Sequence, residues 1–347
     1  MKKMFFNMMM ASAALVLAAG CSEVNPEYTA PETVEPEEID RTAFAKGADI
    51  SWVTKMESEG IKFYNAAGEE TECTALMKQI GMNSIRLRVW VDPDEGWNGK
   101  GDVVAKALRA QKLGMRIMID FHYSDTWADP ANQTTPAAWK SYDIEHLKSA
   151  VTAHTTDVLQ ALKTAGVDVE WVQVGNETRD GMLWDLGRAT TNPLNYTALN
   201  NAGYDAAKAV YPEAKVVVHL DNGNEFWYYE RIFGILKKNG GKFDIIGMSL
   251  YPSSDWKSAT ESCIANITKC NQTYGCPVMI CEVGMPWDDP ENAKAMLSRL
   301  MTGAKATGCC DGVFYWEPEA PAGYNGGYSL GAFADGKPTA ALDAFAE

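Results

Sequence analysis

Beyond residue 42 the chain alternates between two hydrophobic rhythms. Short apolar or β-branched runs at 46–50, 84–89, 115–121, 170–175, 215–219, 245–250, 277–281 and 312–315 read as strands. Most intervals between them carry helical spacing, at 73–80, 103–112, 144–164, 199–210, 225–238, 256–273 and 291–307. A weaker helical signal covers 340–345. Eight strand–helix alternations predict an α/β fold, a (β/α)8 TIM barrel forming a single domain over 43–347. No residue block repeats at a longer period. A doubly wound open sheet is the runner-up, but no Gly-x-Gly-x-x-Gly follows the first strand.

The amino-terminal pattern differs. Lys2 and Lys3 precede an apolar stretch at 8–19, too short to span a bilayer, and Leu17-Ala18-Ala19-Gly20-Cys21 resembles a bacterial lipobox. Residues 1–20 therefore read as a lipoprotein signal peptide and Cys21 as the lipidation site. Residues 21–42 are acidic and proline-rich and are expected to be a tether. A cell-envelope lipoprotein of the outer membrane is expected, on the cell surface or the periplasmic face, with the lipid anchor as its sole membrane contact.

Composition narrows the partners. A net charge of −15 opposes nucleic acid or acidic glycans and favours a neutral polymer, while 11 tryptophans supply flat faces suited to sugars. The cysteines beyond Cys21 (Cys73, Cys263, Cys270, Cys276, Cys281, Cys309, Cys310) fit no zinc spacing. Their odd number leaves at least one thiol unpaired if the others pair internally, and connectivity does not follow from spacing. His122, His146, His154 and His219 lie apart from them in sequence. Nothing marks an oligomer surface, so a monomer is expected.

The candidate chemistry lies at strand ends. Trp-Val-Gln-Val-Gly-Asn-Glu ends on Glu177, and Pro-Val-Met-Ile-Cys-Glu ends on Glu282. A carboxylate closing a buried strand is costly unless paired or used. Strand parity puts Arg86, Arg88 and Trp90 on one face, Asp120 with His122, Gln173 with Gly175 and Glu177, and Val278 with Ile280 and Glu282. These polar groups fall at the carboxyl ends of strands, the catalytic rim of such barrels. Glycosidic cleavage with retention needs one protonated carboxyl group and one ionised carboxylate. Arg86 or Arg88 would keep the nucleophile charged. Asn176 is placed to meet a sugar 2-hydroxyl, and Tyr251 and Trp316 to support the nucleophile and stack on a pyranose.

Longer strings sharpen the reading. They are Arg86-Leu87-Arg88-Val89-Trp90-Val91, Asp125-Thr126-Trp127-Ala128-Asp129-Pro130, Gly175-Asn176-Glu177-Thr178-Arg179-Asp180-Gly181-Met182-Leu183-Trp184, His219-Leu220-Asp221 and Tyr315-Trp316-Glu317-Pro318. Together they resemble glycoside hydrolase family 53, the arabinogalactan endo-β-1,4-galactanases, in a bacterial lipoprotein form, from about Ala45 onward. The resemblance implies retaining double displacement on the β-1,4-galactan of pectic type I arabinogalactan, with Glu177 as acid/base and Glu282 as nucleophile. It also implies sugar contacts from Arg86, Arg88, His122, Asp125, Trp127, Asn176, Trp184, His219, Asp221, Tyr251 and Trp316. Asn224 and Glu319-Ala320 depart from the family pattern, where tryptophan is frequent, and bear on subsite number. Some relatives bind calcium near the seventh and eighth strands. Here Asp288, Asp289 and Glu291 read better as a helix cap, so no metal or cofactor is indicated.

The alternatives are a related retaining endo-glycanase acting on mannan or xylan, and a non-catalytic glycan-binding surface lipoprotein. The second predicts loss of one carboxylate, and both are present. A Schiff-base or metal-dependent barrel needs an inward lysine or a ligand cluster at the strand ends, and no inward lysine is visible.

Overall fold

The computed structural model describes residues 39–347; the leader, Cys21 and residues 21–38 of the tether lie outside the described residues. At the edge of that span Arg41 pairs with Asp168 and, at 3.2 Å, with Glu170. The elements then run β1 (Ala45–Asp49), α1 (Val53–Ser58), α2 (Cys73–Gln79), β2 (Ser84–Val89), α3 (Lys100–Lys112), β3 (Arg116–Phe121), α4 (Ile144–Thr164) and β4 (Trp171–Val174). They continue with α5 (Pro193–Val210), β5 (Lys215–Leu220), α6 (Phe226–Lys238), β6 (Ile245–Leu250), α7 (Trp256–Tyr274), β7 (Val278–Val283), α8 (Pro290–Ala306) and β8 (Cys310–Trp316). A 3-10 helix over Ala340–Ala346 packs against α8.

The eight strands close into one parallel barrel, with Ala45 opposite Gly312 and Asp49 opposite Trp316 at the seam. This is the (β/α)8 fold that the alternation predicts. Strands buried on both faces are apolar on both. Ile85, Leu87 and Val89 therefore pack outward beneath the helices, while Ala45, Met118, Trp171, Val217, Ile245, Met279, Cys281 and Phe314 fill the interior. Above that plug lies a buried polar layer containing Asp49, Arg86, Asp120, Gln173, His219 and Ser249.

Helix boundaries move little from expectation. Pro193 extends α5 towards its start, because proline suits the first helical turn. α1 was not foreseen, being too short to show a period. The seven cysteines from Cys73 to Cys310 are all free.

Two strands break the expected alternation. In β7, Met248 faces Ile280 while the next residue of β6, Ser249, faces Glu282. Cys281 is therefore an extra residue, a β-bulge. Val278 and Ile280 belong to the outer core, Met279 and Cys281 to the interior, and Glu282 again points inward. The expectation that Val278, Ile280 and Glu282 share a face is thus corrected, since the bulge resets parity just before the carboxylate. After β4, Gly175 (φ 78°) and Glu177 (φ 46°) adopt left-handed backbone, so Asn176 and Glu177 both turn into the barrel mouth. Gly175 is required there, because a Cβ would stand 2.6 Å from Thr178 Cγ2.

Candidate active site

Arg86 organises the mouth of the barrel. Its Nη1 pairs with Asp49 Oδ2 at 2.7 Å and Glu282 Oε1 at 2.9 Å. Its Nη2 meets Asp120 Oδ2 at 2.9 Å and donates to Gln173 Oε1 and Asn176 Oδ1, each at 3.0 Å. Nε donates to Gln173 Oε1 at 3.2 Å. A fully buried guanidinium is stable only with this degree of pairing. Asp120 shows the effect: burial pushes its carboxyl group up, but Arg86 and His122 more than offset that and hold it below the usual range.

Glu282 is fixed from two sides, by Arg86 and by the Tyr251 hydroxyl, which donates to Oε2 at 2.7 Å. Glu177, half-buried, reaches Ser249 Oγ at 2.7 Å. One carboxylate oxygen of each glutamate and a ring nitrogen of His219 lie within 4.8 Å of one another. Burial pushes both carboxyl groups up. Glu177 goes well above the ordinary range, because the Glu282 charge and those of Asp221 and Asp129 add to burial. In Glu282 the rise is opposed by Arg86 and by the Tyr251 hydrogen bond. Of the pair, Glu177 is pushed further and holds a proton more tightly than Glu282.

The surrounding imidazoles are held by their hydrogen bonds. His219 is buried, and burial together with Arg86 pushes its pKa well below the usual value, so the ring is neutral. Its Nδ1 lies 2.9 Å from Asn176 Oδ1 and its Nε2 lies 2.8 Å from Ser249 Oγ. His122 Nδ1 receives the Trp90 Nε1–H at 3.3 Å and the Ala128 N–H at 3.2 Å, so its proton sits on Nε2, facing Asp120 at 3.0 Å. Glu177, His219 and Glu282 form the one group of potential metal donors found among the described residues. His219 and both carboxylates are already engaged in the hydrogen bonds above. Asp289 stands at the N-cap position of α8 without a side-chain bond to the helix backbone and accepts from Asn292 Nδ2 at 2.9 Å instead.

The other expected sugar contacts divide into two groups. Tyr251, Trp316 and Trp127 line the mouth beside the carboxylates, Trp316 lying 6.3 Å from Tyr251 and 5.9 Å from Trp127 between ring centroids. Asp221, beyond β5, pairs with Arg179 at 3.0 Å, and burial pushes its carboxyl group up. Away from the carboxylates, Arg88 is buried against Glu317 and the rings of Trp52, Trp90 and Trp127. Asp125 serves its own loops, accepting from Asp92 N at 3.1 Å and Ala137 N at 2.8 Å. Trp184 lies under Arg188, 3.6 Å from its guanidinium carbon, and lines a separate cavity with Trp139 and Gln133.

Sequence reasoning missed Asp49, Ser249, Trp52 and Glu317. Asp49 closes its strand just as the two glutamates close theirs, and that signal was available. Ser249 gave none, because a small hydroxyl within a buried strand is common.

Residues 45–345 match the model of Glycosyl hydrolase family 53. The chain is 32% identical over 298 residues to the arabinogalactan endo-β-1,4-galactanase A of Aspergillus niger, covering 79% of this chain and 84% of that protein. It is similar to the solved structure of a fungal β-1,4-galactanase, with a TM-score of 0.81, 30% identity, and coverage of 88% of this chain and 99% of the other. It also resembles the GH53 catalytic domain of Ignisphaera aggregans, with a TM-score of 0.79, 25% identity, and coverage of 91% and 99%.

Proposed function

The chain belongs to glycosyl hydrolase family 53, and on that basis we propose that it is a retaining endo-β-1,4-galactanase, with Glu177 as acid/base and Glu282 as nucleophile. The observation that carries the assignment of roles is the opposed electrostatics of two neighbouring carboxyl groups. The groups acting most strongly on Glu177 are the carboxylates of Glu282, Asp221 and Asp129 and the Ser249 hydroxyl, whereas Glu282 touches a guanidinium and a phenol hydroxyl.

In the first step Glu177 gives its proton to the glycosidic oxygen as the Glu282 carboxylate attacks the anomeric carbon. The C–O bond breaks and its electrons remain on the leaving oxygen. Glu177, now ionised, takes a proton from water, whose oxygen attacks the same carbon and releases Glu282. Tyr251 and Arg86 hold Glu282 in line, and Trp316 and Trp127 offer faces to the sugar rings. The polymer substrate is the β-1,4-galactan of arabinogalactan, supported by the names of the similar proteins and by a net charge of −15, which favours a neutral polymer over an acidic one.

Reducing-sugar release from β-1,4-galactan, β-mannan, xylan and arabinan tests the reading, with Glu177→Gln and Glu282→Gln alongside the wild type. Galactan cleavage lost in both variants is expected. Cleavage of mannan or xylan alone would discard the substrate, and unchanged cleavage in either variant would discard the roles.

The leader and Cys21 support a lipid-anchored enzyme of the outer membrane. Labelled palmitate incorporated by the wild type and absent from Cys21→Ser is the expected result. Incorporation by both would move the anchor elsewhere.

A further inference from the structure

The hydrogen bonds around His219 run in one direction. Asn176 cannot be turned over, since its Oδ1 accepts from Arg86 Nη2 at 3.0 Å and its Nδ2 donates to the Ala128 carbonyl at 2.8 Å. Gln173 is equally fixed: its Oε1 accepts from Arg86, one Nε2 hydrogen goes to Asp120 Oδ1 at 2.5 Å, and the other faces the Gly175 carbonyl and Asn176 Oδ1, each at 3.1 Å. Its Nε2 also lies 3.1 Å from His219 Nδ1, but a bare Nδ1 would set its lone pair against those of Asn176 Oδ1 at 2.9 Å. The ring nitrogen facing Asn176 Oδ1 at 2.9 Å must then be the donor. A neutral imidazole has one N–H, so Nε2 is bare and accepts from the Ser249 hydroxyl at 2.8 Å. With its hydrogen committed, Ser249 Oγ offers Glu177 Oε1 only lone pairs, at 2.7 Å.

We propose that Ser249 is the positioning residue of the acid, accepting the Glu177 proton while donating to His219, with Arg86 setting the direction of the chain by holding the Asn176 carbonyl towards His219. The same Arg86 contacts Glu282 directly. One cation thus keeps the nucleophile ionised through an ion pair and, by orienting Asn176, fixes which atom donates in each hydrogen bond from His219 to Glu177. A serine that donated to Glu177 would favour the carboxylate and discharge the acid before substrate arrived. After Glu177 has given up its proton, the Ser249 hydroxyl can turn from His219 to the new carboxylate, which stabilises the form needed to activate water.

The charged and titratable groups around this chain are Glu282 from β7, Asp221 beyond β5 and Asp129 after β3, all facing Glu177. Arg86 from β2, with Asp120 and His122 from β3, face His219. The carboxylates raise the affinity of Glu177 for its proton, and burial with Arg86 leaves the His219 ring neutral.

The proposal rests on the acid/base reading of Glu177 but not on the identity of the glycan. Nitrogen-15 NMR of the full-length, histidine-labelled protein reads the tautomer without substrate, and His219→Gln identifies the signal among four histidines. The Nδ1–H tautomer is expected for His219, and the Nε2–H tautomer would overturn the proposal. The pH profile of kcat/KM on the polysaccharide that the wild type cleaves is the second readout. In Ser249→Ala the basic limb should move to lower pH and the neutral-pH value fall roughly tenfold, with Ser249→Thr restoring both. A basic limb that moves to higher pH, or stays in place, would show that Ser249 donates or merely packs. Should Ser249→Ala fail to fold, the wild-type tautomer decides alone.

Discussion

The guanidinium carbon of Arg88 lies 4.4 Å from the centroid of the Trp127 ring, with Trp52 and Trp90 at 5.2 and 5.4 Å. Glu317 is its ion-pair partner, and its Nε and Nη2 make no hydrogen bond. The aromatic wall of the cleft is therefore assembled around a buried cation. Arg88→Ala should lower unfolding free energy by about 3–5 kcal/mol, because Glu317 loses its partner and the rings lose their filler. Glu317→Gln added to that variant should return part of the loss. Urea unfolding checks both, and a loss below about 1 kcal/mol in the single variant would contradict the ion pair's role.

Tyr251 donates to Glu282 Oε2 and so favours the charged nucleophile. Removing the hydroxyl leaves burial less opposed, so the Glu282 carboxyl group rises further. In Tyr251→Phe the acid limb of kcat/KM should move to higher pH, and the maximum should fall about tenfold. An unmoved limb would mean that the hydroxyl serves the sugar instead.

Glu319 gives a prediction for stability. Burial, and then the Glu317 charge, push its carboxyl group well above the ordinary range. Between the unfolded and folded values the native state holds a proton that the unfolded chain has released. Stability contributed by this group is therefore lost as pH rises. Glu319→Gln should be stabilising by roughly 1–3 kcal/mol at pH 8 and nearly neutral at pH 4. Melting temperatures at the two pH values decide it; an equal gain at both would remove titration as the cause.

Gly247 lies opposite the bulge that aims the nucleophile. A Cβ there would stand 2.8 Å from Cys281 Sγ, 2.9 Å from Val217 Cγ1 and 3.1 Å from the His219 backbone. Gly247→Ala should destabilise by about 1–3 kcal/mol and lower kcat further than stability alone explains, because Glu282 moves with Cys281. Adding Cys281→Ala should recover part of the stability. Thermal melts and kinetics on the same samples separate the two effects.

The barrel was readable because eight apolar runs and the intervening helical periods are long-range patterns that tolerate local error. The two glutamates were readable because a charged side chain closing a buried strand stands out. What parity could not supply was the direction of Glu282, since Cys281 resets it and cysteine looks like any other apolar residue in β7. Arg86 and Arg88 looked alike in sequence, yet the first meets five carboxylate or amide partners, the nucleophile among them, and the second a cage of rings. Which face a side chain takes is local information. Which partner it finds depends on strands far away in the chain, as with Ser249, whose importance comes from its neighbours on β5 and after β4.

The seam between β1 and β8 has a consequence for how the chain is made. The first strand to leave the ribosome pairs with the last, so until residues 310–316 arrive the growing sheet carries two open edges, one on β1 and one on β7. Arg86 meanwhile waits for Glu282, and Arg88 for Glu317. Synthesis therefore passes through a long interval in which Arg88 lacks its counter-charge, Arg86 lacks one of its three carboxylates, and strand edges can pair with other chains. Protection during that interval, rather than final stability, is where this barrel is most exposed to failure.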